Sequence, residues 1–534
     1  METQFMNAQE WIARNNAFTL IDGESGFSLN VAGMHFSEAD LDAMAGKFAA
    51  AHEGMKAIEA GEIKNPDEGR QVTHFTDRIA YPESELFAEV EQFAQDLRSG
   101  AIKGSTGKKI QYAVINGIGG SALGPQLMQF AINGPYWNEL SDAKRDGFLK
   151  IYFVDNTDSA GFADVVNAID LEEAVICSIS KSGGTQETKN NLIAFENAYS
   201  ALGLDFTKHA CAITMAGSEL DKRSRGDNWL RVFEMAESIG GRTSETSIVG
   251  HLPAALAGVD FAAFLAGARR MDEWTRTEDF KKNPAYLLSA MWYIAGEGKG
   301  NKNMVIVPYA DRLVLLSRYF QQLVMESLGK ELDLDGNKVY QGLNVFGNKG
   351  GTDAHAFIQQ LNDGRNDFFI TFIEVMKDAM ELPVDEQNTM ADYLHGFNSG
   401  LAAALRNNDR QVIQININDV NATNLGMIIA LYERAVACYA ELININAFHQ
   451  PGVQAYKLAA KAVIDLKLAV QSKLAELKGF EGTTAEFAEK IGKSDDLVDV
   501  EGIMAKFAEN DREIEGVTVS RAFDAEKGYI YTIA

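Results

Sequence analysis

The sequence predicts an α/β protein with two parallel-sheet units, a helical N-terminal region and a small α+β appendage at its C-terminus. Three observations predict it. At 534 residues the chain is too long for one hydrophobic core and divides into two to four structural units. Short β-rich runs alternate with helical segments, are interrupted by a helical stretch from about 246 to 298, and then alternate again. Such alternation implies right-handed βαβ units and therefore parallel sheets. Hydrophobic residues at 46% and charged residues at 23% are ordinary for a globular enzyme.

In chain order, residues 1–100 read mainly as helices. Ser37 caps one, and Pro82 with Glu83 and Glu85 opens another with acids in its first turn. Between them Lys64-Asn65-Pro66-Asp67-Glu68-Gly69 is a turn cluster with no chemistry beyond packing and support. The first α/β unit, 101–265, has strands expected at 110–115, 150–154, 173–179 and 210–214. The second, 266–440, has them at 304–307, 343–346, 368–373 and 411–415. A helical pair follows at about 422–443 and 452–476, the region 441–470 carrying Lys457. Residues 471–534 read as two short helices and a hairpin (517–519 with 529–533), a winged-helix-like module. Acidic residues outnumber basic ones there, so an interaction or lid element is expected rather than a DNA binder.

The formal charge of −26, from 49 Lys+Arg against 75 Asp+Glu, argues against general nucleic-acid binding. It also means that an anionic ligand would be drawn in by local cations and helix ends, against the overall field. Cys177, Cys211 and Cys438 are too few and scattered for a disulfide framework or zinc site, and read as buried thiols of a reducing compartment. Met1-Glu2-Thr3-Gln4-Phe5 lacks the basic start and apolar core of a signal peptide, and no run reaches the ~18 apolar residues of a membrane span. A cytoplasmic protein is expected.

The chemistry gathers at loops and helix starts. Ser180-Lys181-Ser182-Gly183-Gly184-Thr185-Gln186-Glu187-Thr188 follows a buried strand and precedes a helix. Unpaired N–H groups at a helix start, the helix dipole and hydroxyl donors suit a phosphate, although a loop that simply caps its helix has the same composition. Gly117-Ile118-Gly119-Gly120-Ser121-Ala122 also joins strand to helix. Read as a dinucleotide fingerprint, it lacks the acidic residue expected about 20 positions later, so a second phosphate- or sugar-contacting loop with Ser121 as donor fits better. There is no Walker A loop, since Phe487 stands where its leading glycine would precede Gly492-Lys493-Ser494. Arg242 follows Gly240 and Gly241, where a guanidinium can reach an oxyanion or phosphate, or serve as an ordinary ion-pairing residue. Tyr319, Gln322, Glu326 and Lys330 form a polar stripe at helical spacing. Such a stripe is either a solvated face or, in a cleft, a source of a carboxylate base. The loop from Gly347 to Gly351 delivers His355 at a helix start, and Phe448-His449-Gln450-Pro451 leads into a helix with Lys457 in its first turns.

In this order the motifs Gly-Ile-Gly-Gly-Ser, Ser-Lys-Ser-x-x-Thr-Gln-Glu-Thr, Gly-Gly-Arg, Met-Glu-Ser-x-Gly-Lys, Gly-Gly-Thr-Asp-x-His and Phe-x-Gln-x-Gly-Val-x-x-x-Lys resemble the glucose-6-phosphate isomerase family over about residues 110–460. The resemblance implies two doubly wound sugar-isomerase (SIS) domains with five-stranded parallel sheets, and a homodimer without metal or cofactor. It places the substrate phosphate on Ser180, Lys181 (through its backbone), Ser182 and Thr185, with Gly120, Ser121 and Gln322 nearby. His355, reaching in from the partner subunit, and Lys457 would open the sugar ring. Glu326 would carry the proton between C2 and C1 through a cis-enediol, Arg242 would stabilise its charge, and Glu187 and Gln450 would line the pocket. The residues agree with that chemistry, because an aldose–ketose exchange needs a carboxylate base, a cation for the enediolate and an acid/base pair, and no redox cofactor.

The family pattern is not followed everywhere. His449 stands where Asp is usual, Pro451 where Trp is common, Gln454 for Glu, Thr243 for an aromatic residue, and Gly183 and Gly184 for bulkier residues. Three other readings compete: an isomerase that also accepts mannose 6-phosphate, a non-catalytic SIS sensor of sugar phosphates, and a nicotinamide dehydrogenase built on the Gly117 loop. A sensor has no need to keep Glu326, His355, Arg242 and Lys457 together.

Overall fold

The computed structural model describes residues 6–510 and 513–534; Met1-Glu2-Thr3-Gln4-Phe5, read above as lacking a signal sequence, lie outside them. Two compact units are present, Met1–His449 and Gln450–Ala534. Among the described residues no helix is long and apolar enough to cross a membrane.

The first unit begins with a short helix Ala8–Ala17 and an antiparallel hairpin, β1 (Thr19–Ile21) and β2 (Ser28–Gly33). Then comes the capped helix Glu38–Glu59, where Ser37 and Asp40 form a reciprocal capping box. The first sheet consists of β3 (Tyr112–Asn116), β4 (Lys150–Val154), β5 (Ala174–Ile179), β6 (Ala210–Thr214) and β7 (Arg231–Glu234). Its order is β4-β3-β5-β6-β7, parallel throughout and five-stranded as expected. Every residue of β5 and β6 is buried, which is why these strands read as unbroken apolar runs. Edge strand β7, with exposed Arg231 and Glu234, has no such run and escaped the sequence reading.

The second sheet uses β8 (Asn303–Pro308), β11 (Val345–Phe346), β12 (Phe368–Val375) and β13 (Gln411–Ile417); a separate hairpin is formed by β9 (Lys330–Leu332) and β10 (Lys338–Gln341). Here the expectation of five parallel strands is corrected. The sheet is six-stranded and mixed, in the order β1-β2-β13-β12-β8-β11, with β2 antiparallel to β13. The N-terminal region is therefore not purely helical: its strand Ser28–Gly33 pairs with Val412–Asn416 and covers an edge that β13 would otherwise expose.

Helix Ala422–Leu442 runs through the middle of the unit with nearly every residue buried, against Phe261–Trp274 and Pro284–Ala295. Because it is buried all round, its charges need partners. Arg78 bonds Asp272 and Glu433, and Arg434 bonds Asp272 and Glu59, a network with almost no exposure. Asp272 is held below the usual carboxylate range by the two guanidiniums despite its burial, whereas burial pushes Glu433 up to about 7. All three cysteines are buried, and Cys177 and Cys211 face each other across β5 and β6 with 3.1 Å between sulfurs.

The second unit consists of helix Pro451–Leu474, β14 (Glu481–Thr483), helices Thr484–Lys490 and Leu497–Ala508, and the hairpin β15 (Val519–Asp524) with β16 (Gly528–Ile533). Its sheet order, β14-β16-β15, adds one strand to the expected helix, helix, hairpin series. Val470, Leu474, Phe487, Val500, Met504, Tyr531 and Ile533 form its core.

Replacing Arg78 by Met leaves Glu433 and part of Asp272 buried and unpaired, and is expected to cost about 3–5 kcal/mol. Calorimetry will show a thermal midpoint several degrees lower; an unchanged midpoint would mean that the network is energetically idle.

Candidate active site

The chain runs from β3 outward to β4 and then returns to β5 on the other side, so the order of the first sheet reverses between β3 and β5. A crevice opens outside the carboxyl ends of strands at such a point. The two loops that enter it are those singled out by composition, after Asn116 and after Ile179.

In the second loop Ser180 is buried, its N–H bonded to Ile213 O at 3.1 Å, and the Lys181 carbonyl accepts from Met215 N at 3.1 Å. The Lys181 ammonium donates to Ile239 O (2.9 Å) and Glu237 O. Burial first, and Arg70 second, lower its pKa to about 8. Gly183 has a φ of 71°, and a Cβ there would lie 2.5 Å from Leu220 N. Both facts require glycine and explain why a bulkier residue is absent. Thr185 precedes helix Gln186–Ala201 but makes no side-chain capping bond, and Thr188 Oγ1 is buried without a partner. The loop is therefore not occupied in capping its own helix. Ser180 Oγ donates to Thr185 Oγ1 at 3.3 Å and Gly184 N donates to Ser182 Oγ at 3.2 Å, so the hydroxyls are gathered at the helix start, with Glu187 half-buried in the first turn.

The first loop makes a tight turn, Gly119–Ser121, that lies directly on the turn Gly241–Thr243. A Cβ on Gly120 would be 1.8 Å from Gly241 O, so only glycine permits this approach. Ser244 Oγ closes the turn onto Gly241 O at 2.7 Å. The Gln322 amide lies over Gly119, bringing Gln322, Gly120 and Ser121 together.

Arg242, 6% exposed, is the centre of the arrangement. Its Nε donates to Ser327 Oγ at 2.7 Å, and Nη2 donates to Ala447 O and to His449 O (3.2 Å). Nη1 stands 3.6 Å from Glu326 Oε1. Burial lowers its pKa and the Glu326 carboxylate counters that. Glu326 Oε2 is buried with no hydrogen-bond partner. A carboxylate beside a fixed cation, with one oxygen free, is equipped to accept a proton from carbon and see the resulting anion stabilised.

The helix that brings Glu326 here is not regular. After Leu316–Phe320 it widens to a π-helical segment, Gln321–Glu326. The stripe read at α-helical spacing is corrected on two counts. Tyr319 is buried rather than solvated, and Lys330 lies outside the helix, at the start of β9.

Other residues stand elsewhere. His355 is exposed at the end of the turn Thr352–His355, which buried Asp353 fastens by accepting from Asn348 N (2.9 Å) and Nδ2 (3.1 Å). No contact brings His355 to Glu326 or Arg242 among the described residues. Gln450 and exposed Lys457 belong to the second unit, at the start of its helix Pro451–Leu474. Conversely, the turn at 64–69, read as bare support, takes part in building the site. Arg70 Nη2 and Asn65 Nδ2 donate to Phe448 O at 2.8 and 3.1 Å, Arg70 Nη1 donates to Ser238 O at 3.3 Å, and Asp67 lies 3.3 Å from His449 Nε2. These bonds hold the two segments between which Arg242 is clamped. A cavity of about 130 Å³ lies against the Ser180 loop, lined by Ser180, Gly183, Thr188, Lys189, Glu219 and Arg223 among others.

Two α/β sheets, a hydroxyl-rich loop at a helix start and a carboxylate set beside a buried guanidinium are the parts that an isomerase of sugar phosphates would need. A sequence model of the phosphoglucose isomerase family matches residues 47–486. Glucose-6-phosphate isomerase of Gloeothece citriformis is 44% identical over 92% of this chain and 93% of its own, and that of Synechococcus sp. (strain JA-2-3B'a(2-13)) is 46% identical over 87% and 88%. The crystal structure of a glucose-6-phosphate isomerase from Chlamydia trachomatis superposes with a TM-score of 0.75 at 26% identity, covering 85% of this chain and 91% of that one. The chain belongs to the phosphoglucose isomerase family and is an isomerase.

A methyl group at Gly120 would force the two turns apart. Gly120→Ala is expected to lower kcat about tenfold or more by displacing Arg242 from Glu326; unchanged kcat would show that the turns separate at no cost to the site.

Proposed function

We propose the following path for the reversible isomerisation of glucose 6-phosphate and fructose 6-phosphate, the reaction of this family. Ser180, Ser182 and Thr185 and the Lys181 backbone hold the phosphate at the start of helix Gln186–Ala201, with Gly120, Ser121 and Gln322 alongside. This end of the sugar does not react; it positions C1 and C2. His355 and Lys457 open the ring by moving a proton between ring oxygen and the C1 hydroxyl. Glu326 removes the proton from C2, leaving a cis-enediol intermediate with its charge on O1, and the same carboxyl returns the proton to C1 as the hydroxyl proton passes from O2 to O1. Arg242 stabilises the charge on the intermediate, a role worth about 3–4 kcal/mol by analogy with an oxyanion-hole donor. Glu187 and Gln450 line the pocket. Each step is a proton transfer, so the path calls on no metal or cofactor. The observation that carries it is the 3.6 Å approach of Glu326 to the buried Arg242 guanidinium beside an anion cradle.

The exposure of His355 supports a second part of the reading, a cytoplasmic homodimer in which His355 serves the partner's site. Met376, Met380, Leu382, Met390, Tyr393 and Phe397, all exposed, supply apolar surface in the segment after it.

Glu326→Gln is expected to lower kcat by about 10²–10⁴ in a coupled assay with EDTA and no added nucleotide, with sugar-phosphate binding retained. A variant close to wild-type turnover would remove Glu326 as the base. Mixing inactive Glu326→Gln and His355→Ala subunits through mild denaturation will restore activity if the histidine crosses the interface, because the hybrid contains one intact site; no restoration would place His355 in its own subunit's site.

A further inference from the structure

One face of the second sheet has the wrong chemistry for a core. On β2 and β13, Leu29, Val31, Ile413 and Ile415 belong to the main core. Their alternate neighbours are polar. Thr19, Asn30 and Gln414 lie side by side across β1, β2 and β13, with Ser28 and Asn416 paired in the next row. An antiparallel edge can present such a face to water, but here two helices stand over it. Helix Ala8–Ala17 contributes Trp11, and helix Met390–Asn407 contributes Asn398, Ala402 and Arg406, each about one turn from the next. Between these helices and the strands lies a pocket of about 280 Å³ that shares no residue with the cleft around Arg242.

The polar groups of this pocket are incompletely satisfied. Asn398 is 2% exposed, and its Oδ1 is buried with no hydrogen-bond partner. A buried amide oxygen without a donor is costly. Gln414 Nε2 donates to Asn416 Oδ1 at 2.9 Å, which leaves Gln414 Oε1 as a second acceptor on the wall. Glu374 is the third; its Oε1 stands 2.5 Å from His395 Nδ1, so the carboxylate already has a partner for one oxygen. The cation is Arg406. Its half-buried guanidinium sits over the Trp11 ring, 4.7 Å from the centroid, and makes no hydrogen bond or ion pair among the described residues. A place in the last turn of a helix favours a cation, but it does not explain a guanidinium seated on an indole without a carboxylate.

Three acceptors and a cation lacking a counter-ion specify a ligand with several O–H donors and an acidic group. A simple anion has too few donors, and an apolar molecule has neither feature. The volume is at the lower limit of ligand pockets, roughly 300 Å³, and suits a monosaccharide-sized molecule rather than a nucleotide. We propose that this pocket is a second binding site, separate from the isomerase cleft, for a small polyhydroxylated anion, either a sugar acid or a sugar phosphate. Its acidic group pairs with Arg406, and its hydroxyls donate to Asn398, Gln414 and Glu374.

The test is calorimetric titration of the intact enzyme with gluconate, a carboxylate on a hydroxylated chain. Wild type is expected to bind it saturably, and to bind glucitol, which lacks the charge, and butyrate, which lacks the hydroxyls, about tenfold or more weakly. Arg406→Met and, independently, Gln414→Glu, which adds a repelling carboxylate, are expected to weaken gluconate by about the same factor. Both variants should keep the kcat and KM of wild type for fructose 6-phosphate, which reports that they are folded. Glucitol 6-phosphate distinguishes the two sources of the anion. Two molecules bound per wild-type chain and one per Arg406→Met chain would assign the phosphate ester to the pocket; gluconate binding that depends on Arg406 would assign the acid. If neither result is obtained, or if gluconate binds equally well to wild type and both variants, the proposal is overturned.

Discussion

Arg242 leaves water almost entirely, and an isolated guanidinium in such a place would be strongly unfavourable. It is tolerated because Ser327, two carbonyls at 447 and 449, and the Glu326 carboxylate satisfy it from different parts of the chain. Those partners can meet only if the second α/β half, the end of the first unit and the Gly241–Thr243 turn are all in register. The guanidinium fork, planar and rigid, turns that requirement into geometry. Its placement fixes the 3.6 Å distance between its Nη1 and Glu326 Oε1.

The supports of this residue explain features that look unrelated. Gly120 is small because a backbone must pass against Gly241. The turn at 64–69 and Arg70 beyond it are polar because Asn65 and Arg70 hold the carbonyl of Phe448, and Arg70 that of Ser238 as well. The buried network of Arg78, Asp272, Glu433 and Arg434 holds the helices behind the site with the same economy of charge. Non-catalytic binding of a sugar phosphate would need the Ser180 loop alone; it gives no reason to bury a guanidinium beside a carboxylate with a free oxygen.

Much of this was legible in the residues, and what was not has physical causes. Strands β5 and β6 announced themselves as continuous apolar runs because both faces of a parallel sheet are covered. The strand-to-helix setting of the Ser180 loop was legible, since its glycines and hydroxyls act locally. Strand β2 was not, because its partner β13 lies at the far end of the first unit and no local pattern marks the pairing. The roles of Asn65, Asp67 and Arg70 were hidden for the same reason: a side chain bonded to a distant carbonyl leaves no periodic trace. Lys330 was misplaced because the spacing rule assumed 3.6 residues per turn through a segment that does not have it.

That π-helical segment, bonded i to i+5, holds one residue more in its turn than an α-helix would. Without that extra residue the position of Glu326 would be turned by about 100° around the helix axis, facing away from Arg242. The carboxylate's aim thus depends on the length of the chain before it as much as on the identity of the residue. Deleting any one of Gln321, Leu323 or Val324 would disarm the site while leaving every catalytic side chain in the sequence, a form of inactivation that inspection of motifs alone would pass over.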